Sequence, residues 1–210
     1  MLEAALAPGA HVLEAGCGRG SRLGRGGLIA EIVGVDVDAE AGEGNPALDR
    51  FVCADLCGRL PFDDAAFDLV YSNFAAEHFA EPAVAFAEWH RVLRSGGAVV
   101  MLTSNIGSPY LWIANRLPHA VRVAIKRSGP GVDERDVIPA TYRANTPAKL
   151  KRLMRDAGLE PVEVVMVATL HRYAGERRVL AGALRFAEAI LPRCARSTIV
   201  ARFEAVGAAR

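Results

Sequence analysis

The sequence predicts a doubly wound α/β domain with a mostly parallel sheet of seven strands. Two observations indicate this fold. Short apolar runs alternate with helical patterns along the chain, as in successive βαβ units. The first apolar run also ends in the stretch VLEAGCGRG, residues 12–20, where glycines at every second position indicate a tight turn after a strand. The chain has 210 residues, a length that favours one domain over residues 1–210.

Apolar runs that include β-branched residues predict the strands of the sheet. In chain order they are 11–15 (HVLEA), 31–35 (EIVGV), 50–54 (RFVCA), 67–73 (FDLVYSN), 97–103 (GAVVMLT), 161–168 (PVEVVMVA) and 197–204 (STIVARFE).

Three segments predict helices between these strands. Residues 82–93 begin at Pro82 and end before a Gly-Gly pair, and residues 147–157 carry Thr146 as N-cap and Gly158 as stop signal. Residues 176–191 form a third amphipathic stretch. The segment SRLGRGGLIA after the glycine turn contains three further glycines, so we expect a short or irregular helix there.

Residues 106–146 interrupt the alternation of strands and helices. An amphipathic segment, YLWIANRLPHAVRVAIKR, is followed by a loop rich in Gly, Pro and charge. Insertions of this length in a compact α/β domain are usually functional, so we predict a lid. Its basic residues either contact a membrane surface or lipid-linked substrate, or simply solvate the outer face of a helix; they are Arg116, Arg122, Lys126 and Arg127.

Charge and composition exclude several classes of protein. Basic and acidic residues nearly balance, 25 against 24, so no overall field attracts nucleic acid or an anionic membrane, and only local patches are left open. No apolar run is long enough for an integral membrane segment and no signal sequence is evident, so we expect a cytoplasmic protein. Cys53 and Cys57 lie four residues apart, but without a second pair or a nearby histidine we expect thiols and no bound metal.

The glycine turn and the acid after the second strand indicate a ligand site. Gly16, Gly18 and Gly20 let backbone N–H groups approach a ligand, although a plain tight turn is the alternative. Neither a phosphate loop nor the G-x-G-x-x-G dinucleotide spacing is present. Asp36 ends the strand expected beside this turn, where its carboxylate can accept both hydroxyls of a ribose; the alternative is a helix N-cap, a role that Asp38 can fill.

Four sequence blocks, in order over about residues 11–105, resemble class I S-adenosylmethionine-dependent methyltransferases. They are VLEAGCGRG, IVGVD, ADLCGRLPFDDAAFDLVYSNFAAEHFAEP and EWHRVLRSGGAVVMLTSN. The later segment TYRANTPAKLKRLMRDAGLEP is similar to members of the bacterial type 11 group. The resemblance implies a Rossmann-like sheet with an antiparallel last strand, a helical lid after strand 5, and S-adenosyl-L-methionine as cofactor.

The resemblance also implies cofactor-binding residues at the tips of the first four strands. In their order along the chain they are Glu14, Gly16, Cys17, Gly18, Gly20, Asp36, Val37, Asp55, Leu56, Asn73 and Phe74. The residues up to Gly20 border the methionine part, with Glu14 directed to its ammonium group. Asp36 binds the ribose and Val37 packs beside the adenine.

Asp55 and the Leu56 N–H are then expected at the adenine amino group and a ring nitrogen. Asn73 and Phe74 are expected at the methionine amine and the wall of the transfer site. The residues leave alternatives open for two of these positions. Asp55 can be a turn residue like its neighbours Asp63, Asp64 and Asp68, and Phe74 can be a core residue.

His78 is the candidate general base, because imidazole titrates near neutral pH and the loop after strand 4 reaches the same sheet edge. Its alternative is a structural histidine that ties the loop to Glu77. Tyr142, Arg143 and Asn145 are candidates for holding an anionic or sugar-like acceptor. Arg143 can instead pair with acids of the preceding loop.

The predicted function is methyl transfer to an O, N or C atom of a small-molecule or glycan-like acceptor. A catalytically silent cofactor-binding or interaction protein is the alternative. A nucleic-acid acceptor is disfavoured, because strand 4 ends in SNFA and not in the Asn/Asp-Pro-Pro-aromatic tetrapeptide. No metal is predicted, and a homodimer is left open.

Overall fold

A computed structural model describes residues 1–20, 23–24, 26–43, 45–117, 140–174 and 178–206. Seven strands form one sheet in the order β3-β2-β1-β4-β5-β7-β6. Their bounds are β1 Ala10–Ala15, β2 Ile29–Asp36, β3 Arg50–Cys53, β4 Phe67–Asn73, β5 Leu93–Ser104, β6 Leu159–Val167 and β7 Thr198–Ala205.

The first five strands pair in parallel, and β7 runs antiparallel to both β5 and β6. This arrangement confirms the predicted doubly wound, mostly parallel sheet with an antiparallel last strand. The reversal of strand order beside β1 places the ends of β1, β2 and β4 around one crevice at the carboxyl edge, where open α/β sheets bind ligands.

The helices cover the sheet between the strands. They are α1 Ala39–Glu43, α2 Pro82–Val92, α3 Pro109–Arg116, α4 Pro147–Asp156 and α5 Arg178–Ala189, with 3₁₀ turns at Glu3–Ala5, Ala76–His78, Leu170–Ala174 and Arg193–Ala195. The predicted signals of α4 are confirmed. Thr146 Oγ1 accepts from the Lys149 N–H at 3.4 Å, and Gly158 ends the helix at a φ of +86°.

The hydrophobic core has one part on each face of the sheet. On the larger side, α2 packs Phe86 and Trp89 against strand residues such as Val70 and Met101, all fully buried. The smaller side includes Val12 and other strand residues, with the N-terminal segment packed against them. Strands β1 and β4 are therefore buried on both faces, as their nearly continuous apolar runs predict.

The structure differs from the predicted elements in detail. Strand β5 starts four residues earlier than predicted, directly after α2, and β6 starts two residues earlier. Between Gly20 and Ile29 the described residues form no helix, because glycines there favour turns. Helix α3 lies in the predicted lid, but residues 118–139 lie outside the described residues. The predictions for Arg122, Lys126 and Arg127 therefore concern residues outside the described part of the chain.

Asp68, at the amino edge of the sheet, does not have the turn role that was expected from the sequence. Its carboxylate accepts from the His11 N–H at 2.8 Å and from Arg94 at 2.6 and 2.7 Å, so it is an anchor and not a solvated turn residue.

A cavity of about 370 Å³ lies at this edge, lined in part by His90 and Arg91. The cavity is at the opposite end of the strands from the glycine turn, and its arginines already bind Asp64 and Asp68.

Candidate functional site

The turn after β1 brings its backbone against the loop after β4. Gly16 has a φ of +76°, and its N–H and that of Cys17 donate to the Val35 carbonyl at 2.8 and 3.2 Å. A Cβ built on Gly16 would lie 2.3 Å from the Ala75 Cβ. Glycine is therefore required here both by conformation and by close packing.

Asp36 lies beside this turn, as the sequence predicts. Its Oδ2 accepts from the Gly18 N–H at 3.0 Å, and its Oδ1 accepts from the Asp38 N–H at 3.1 Å. Asp38 in turn accepts from the Glu40 N–H at 3.0 Å at the start of α1, so the N-cap role belongs to Asp38. Each Asp36 oxygen retains a lone pair for a further donor, because a carboxylate oxygen accepts about two hydrogen bonds.

The outer surface of the glycine turn is open. A Cβ built at Gly18 or Gly20 would meet no atom within 4 Å, although Gly18 also has a positive φ of +51°. Space for a ligand therefore lies over the turn beside the Asp36 carboxylate. The Asp36 carboxylate borders this space, and a carboxylate with remaining lone pairs is the acceptor that ribose hydroxyls require.

Asn45 is a buried residue that sequence reasoning missed. Its Nδ2 donates to the carbonyls of Cys17 and Gly18 at 3.4 and 3.3 Å, and its Oδ1 accepts from the Ala47 N–H at 3.2 Å. The two hydrogen bonds that Asn45 donates stabilise the backbone of the glycine turn. The Asn-Pro pair at 45–46 signals a turn, but nothing local shows that this turn reaches residue 17.

Glu14 and Cys17 line the buried side of the turn. Glu14 is buried on β1 between Gly34 and Tyr71 of the neighbouring strands. Burial and, to a smaller extent, the nearby charges of Asp36 and Glu14 raise the pKa of the Cys17 thiol to about 12. A thiol with this pKa is not a nucleophile at neutral pH, so Cys17 acts through its packing and backbone.

The turn after β3 places Asp55 and Leu56 at the same edge of the sheet. Asp55 is exposed, and its Oδ1 accepts from the Cys57 N–H at 2.8 Å, so the turn role considered above is present. Leu56 is buried, with its side chain in the core near Gly16. Val37 is largely exposed after β2, and the Cys53 thiol donates to its carbonyl at 3.5 Å. An adenine-binding role for these residues stays a prediction.

The tip of β4 carries a strained backbone. Phe74 has a φ of +57°, and its N–H donates to the Leu102 carbonyl at 2.8 Å; Asn73 precedes it beside Leu102. Both side chains are half-buried, so Phe74 is not a full core residue. Ser72, which sequence reasoning missed, is fully buried, and its Oγ has no hydrogen-bond partner within the described part of the chain. Strain of this kind is frequent at binding sites.

His78 lies in the 3₁₀ turn that follows this tip. Its Nε2 is 3.9 Å from Glu77 Oε1, and its side chain is about one-fifth exposed, 22%. Glu77 Oε2 accepts from the Ser104 hydroxyl at 2.7 Å, which joins the turn to the end of β5. Glu77 therefore anchors the backbone beside His78 to the end of β5. The alternative role of His78, a structural histidine that contacts Glu77, agrees with the distance of 3.9 Å.

The segment 140–145 packs against the same turn. The N–H groups of Thr141 and Tyr142 donate to the Glu77 carbonyl at 2.8 and 3.0 Å, and Tyr142 has a φ of +52°. Tyr142 thus lies next to the tip of β4, while the Arg143 side chain is exposed. Asn145 is buried and donates to Thr103 Oγ1 at 2.6 Å and to the Ser104 carbonyl at 3.1 Å, so its amide nitrogen anchors the segment to β5.

The geometry can be compared with known proteins at this point. The family model described as "Methyltransferase domain" matches residues 13–101, which include the glycine turn, Asp36 and the tip of β4. Residues 13–101 therefore match a methyltransferase domain of the type 11 group. The cofactor of this methyltransferase domain is S-adenosylmethionine, and the open glycine turn beside the Asp36 carboxylate fits that molecule.

A curated relative and two solved structures resemble this methyltransferase domain. Malonyl-[acyl-carrier protein] O-methyltransferase of Pseudescherichia vulneris is 38% identical over 104 residues, covering 47% of this chain and 41% of the relative. The Haloferax volcanii protein solved with the Trm112 methyltransferase activator has a TM-score of 0.65 and 19% identity, with 100% of this chain and 90% of that chain covered.

Geranyl diphosphate C-methyltransferase of Streptomyces coelicolor A3(2), solved with Mg²⁺, geranyl diphosphate and S-adenosyl-L-homocysteine, has a TM-score of 0.61 and 16% identity. The match covers 96% of this chain and 74% of that chain. These structural similarities show the fold. The chain spans less than half the length of the curated relative that it matches. None of the described helices is long and apolar enough to cross a bilayer.

Proposed function

We propose that the chain transfers the methyl group of S-adenosylmethionine to a nucleophilic O, N or C atom of a small-molecule or glycan-like acceptor. The observation that carries this proposal is the contact between Asp36 and the glycine turn. The Gly18 N–H to Asp36 Oδ2 bond of 3.0 Å brings a carboxylate to the open turn at the carboxyl edge of the sheet. The family match and the strand order of the sheet support the same activity.

The cofactor roles follow the geometry of the crevice. Asp36 accepts the ribose hydroxyls with its remaining lone pairs, and Val37 packs beside the adenine. Asp55 and the Leu56 N–H bind the adenine edge. The methionine part lies along the turn from Glu14 to Gly20, through the backbone of Gly16, Cys17 and Gly18, and reaches the backbone of Asn73 and Phe74 at the tip of β4.

The main contribution of the protein to methyl transfer is the alignment of the acceptor atom with the methyl group. The bound cofactor supplies an electrophilic methyl group and a neutral leaving group. The residues around the tip of β4 place the acceptor atom in line with that methyl group, and orientation of this kind supplies about 7–11 kcal/mol. Phe74 and Tyr142 both have a positive φ; the Leu102 carbonyl accepts from the Phe74 N–H, and the Glu77 carbonyl of the Ala76–His78 turn accepts from the Tyr142 N–H.

His78 takes the proton when the acceptor is a hydroxyl group. Its imidazole Nε2 lies 3.9 Å from Glu77 Oε1, and this carboxylate orients the ring. Tyr142 and Arg143 hold the acceptor, and Asn145 fixes the segment that carries them. The names of the relatives support an O- or C-methyl acceptor, one a malonyl group on a carrier protein and the other geranyl diphosphate.

The proposed working unit is one domain over residues 1–210, with the insertion at about 106–146 covering the acceptor. We place it in the cytoplasm, with no nucleic acid as partner. The balanced charge of the chain supports an acceptor other than nucleic acid.

Calorimetric titration with S-adenosylmethionine tests the cofactor site. Asp36→Asn is expected to lose about 1.5–3 kcal/mol of binding free energy, the usual value of hydrogen bonds to a charged group. Asp63→Asn, in an exposed turn, is the matched control and should bind as the wild type does. Equal affinity of Asp36→Asn and wild type would reject the ribose role.

Release of S-adenosylhomocysteine in an acceptor screen tests catalysis. The wild type should release it with at least one small hydroxyl-, amine- or carbon-acid acceptor. His78→Ala should lower turnover about 10²–10⁴-fold with a hydroxyl acceptor, while cofactor affinity stays unchanged. Cofactor binding without release in any acceptor class would favour the silent cofactor-binding alternative.

A further inference from the structure

Helix α5 is apolar on the side that faces away from the domain. Val179, Ala183, Phe186 and Ile190 are exposed at a spacing of i, i+4, i+7 and i+11, which aligns them along one stripe from the helix to the residue after it. The exposed fractions are 89% for Val179, 68% for Phe186 and 67% for Ile190. We call these four residues the α5 outer face.

The opposite side of α5 is fixed to the domain. Glu188 is fully buried, and its carboxylate accepts from the Leu170 N–H at 2.8 Å and from the Ser197 N–H at 3.1 Å. The helix therefore cannot roll to bury the outer face without breaking these bonds. An exposed apolar stripe on a helix that is fixed in this orientation is normally covered, so the outer face indicates an interaction surface.

The charges around the outer face determine what covers it. The segment from Arg178 to Arg196 contains four arginines and one acidic residue, and that residue is the inward-facing Glu188. Arg178, Arg185 and Arg193 are exposed, and among the described residues no carboxylate pairs with them. A surface that complements the charge of these arginines is therefore anionic. A second copy packed face to face would place arginines against arginines, which is unfavourable.

We infer that the α5 outer face docks on an anionic membrane surface, with the helix lying in the interface. The face is a convex ridge whose side chains protrude, and a ridge of this kind inserts into a deformable lipid surface, with arginines at the level of the phosphates. This inference rests on α5 itself and does not depend on the proposed methyl transfer.

A second apolar pair lies at the same edge of the sheet. Asn105 Nδ2 donates to the carbonyls of Cys194 and Arg196 at 3.0 and 2.8 Å, and so joins the exit of α5 to the segment that leads into α3. On α3, Trp112 and Ile113 are exposed, and the Arg116 guanidinium lies 3.5 Å from the centre of the Trp112 ring. Tryptophan and arginine are frequent at membrane interfaces.

Vesicle flotation tests the docking with two lipid compositions, phosphatidylcholine alone and equal parts of phosphatidylcholine and phosphatidylglycerol. The wild type should bind the anionic vesicles and dissociate as salt is raised. Phe186→Ser should partition about tenfold less, because a buried phenylalanine side chain contributes that much or more. Val206→Ser, an exposed apolar site at the amino edge of the sheet, is the control and should bind like the wild type.

Fluorescence locates the contact. Trp89 is fully buried, so Phe186→Trp in a Trp112→Phe background adds one exposed reporter on α5. Its emission should shift to the blue with anionic vesicles and be quenched by brominated acyl chains. Val206→Trp in the same background should do neither.

Three outcomes would overturn the inference: no binding to anionic vesicles, binding that Phe186→Ser leaves unchanged, or a concentration-dependent dimer that Phe186→Ser abolishes while vesicles do not bind. The last outcome would assign the face to a second copy. S-adenosylmethionine titration of each variant monitors the folded site, so loss of vesicle binding with retained cofactor binding separates this inference from the proposed function.

Discussion

Gly16 is a position where we expect the addition of a single methyl group to lower the stability of the fold strongly. Gly16→Ala combines a positive φ with a Cβ only 2.3 Å from the Ala75 Cβ, so we expect a loss of about 2–5 kcal/mol in the free energy of unfolding. Gly20→Ala, with no neighbouring atom within 4 Å, should change it by less than about 1 kcal/mol. Urea unfolding of both variants measures the difference. Equal stabilities would show that the turn does not pack as described.

At the residue scale, local spacing predicted the ligand turn and the position of Asp36, because both depend on a strand followed by a short turn. Asn45, Ser72 and Glu77 were missed as site residues. Their roles depend on contacts between distant segments, such as Asn45 with Cys17 and Glu77 with Ser104, and such contacts leave no periodic signal in the sequence. Asn145 was predicted as an acceptor residue, and the structure shows its amide nitrogen bound to β5.

At the element scale, the Glu88–Arg91 pair of α2 attaches the helix to the loop before β4 through hydrogen bonds to its backbone. Arg91 donates to both Glu88 oxygens and to the Leu60 and Phe62 carbonyls, while Glu88 accepts from the Leu60 N–H at 2.9 Å. The hydrogen bond from Arg91 lowers the pKa of Glu88 below its ordinary value of 4.5; burial opposes this shift, and the Leu60 N–H supports it. A carboxyl group with a lowered pKa stabilises the fold above its ordinary pKa and loses that contribution as the pH falls below it.

Glu88→Gln should therefore be less stable than the wild type at neutral pH, by about 1.5–3 kcal/mol, and should lose less stability on acidification. Urea unfolding at neutral pH and at a series of values below 4.5 measures both effects. Glu163→Gln, at an exposed position of β6, is the control and should follow the wild-type profile. Parallel pH profiles for Glu88→Gln and wild type would contradict the role of this pair.

The strands and the main helices were predictable because apolar periodicity and end signals are local. Pro82, Thr146 and Gly158 mark helix boundaries that the structure confirms to within a residue. The start of β5 was not predictable, because the chain passes from α2 into the strand without a break and the Gly96-Gly97 pair resembles a turn. The apolar outer face of α5 was also not apparent, because a helical pattern alone does not show which side is buried.

At the scale of the whole molecule, Cys17 reports global unfolding. It is buried between β1 and β2 with a pKa of about 12, whereas Cys53 and Cys194 are exposed. Alkylation of the native protein should modify Cys53 and Cys194 rapidly and Cys17 only when the sheet opens. Mass spectrometry after pulses of iodoacetamide in increasing urea should give a Cys17 profile that coincides with loss of circular dichroism. Rapid modification of Cys17 in native buffer would show that the turn opens locally.

The architecture was predictable as a class from the alternation of strands and helices. The antiparallel strand between β5 and β6 came from the family resemblance and not from the residues, because strand direction and order depend on pairing across the whole sheet. Parallel and antiparallel neighbours share the same apolar pattern when both faces of a strand are buried.

The position of β7 between β5 and β6 has a consequence for biosynthesis. Within the described part of the chain β6 pairs with β7 alone, so Leu159–Val167 leaves the ribosome before the strand that it pairs with exists. Until Thr198–Ala205 emerges, the edge of β5 that pairs with β7 is exposed, and β6 has no strand to pair with. A ribosome stalled short of this point should therefore hold an incomplete, chaperone-binding polypeptide.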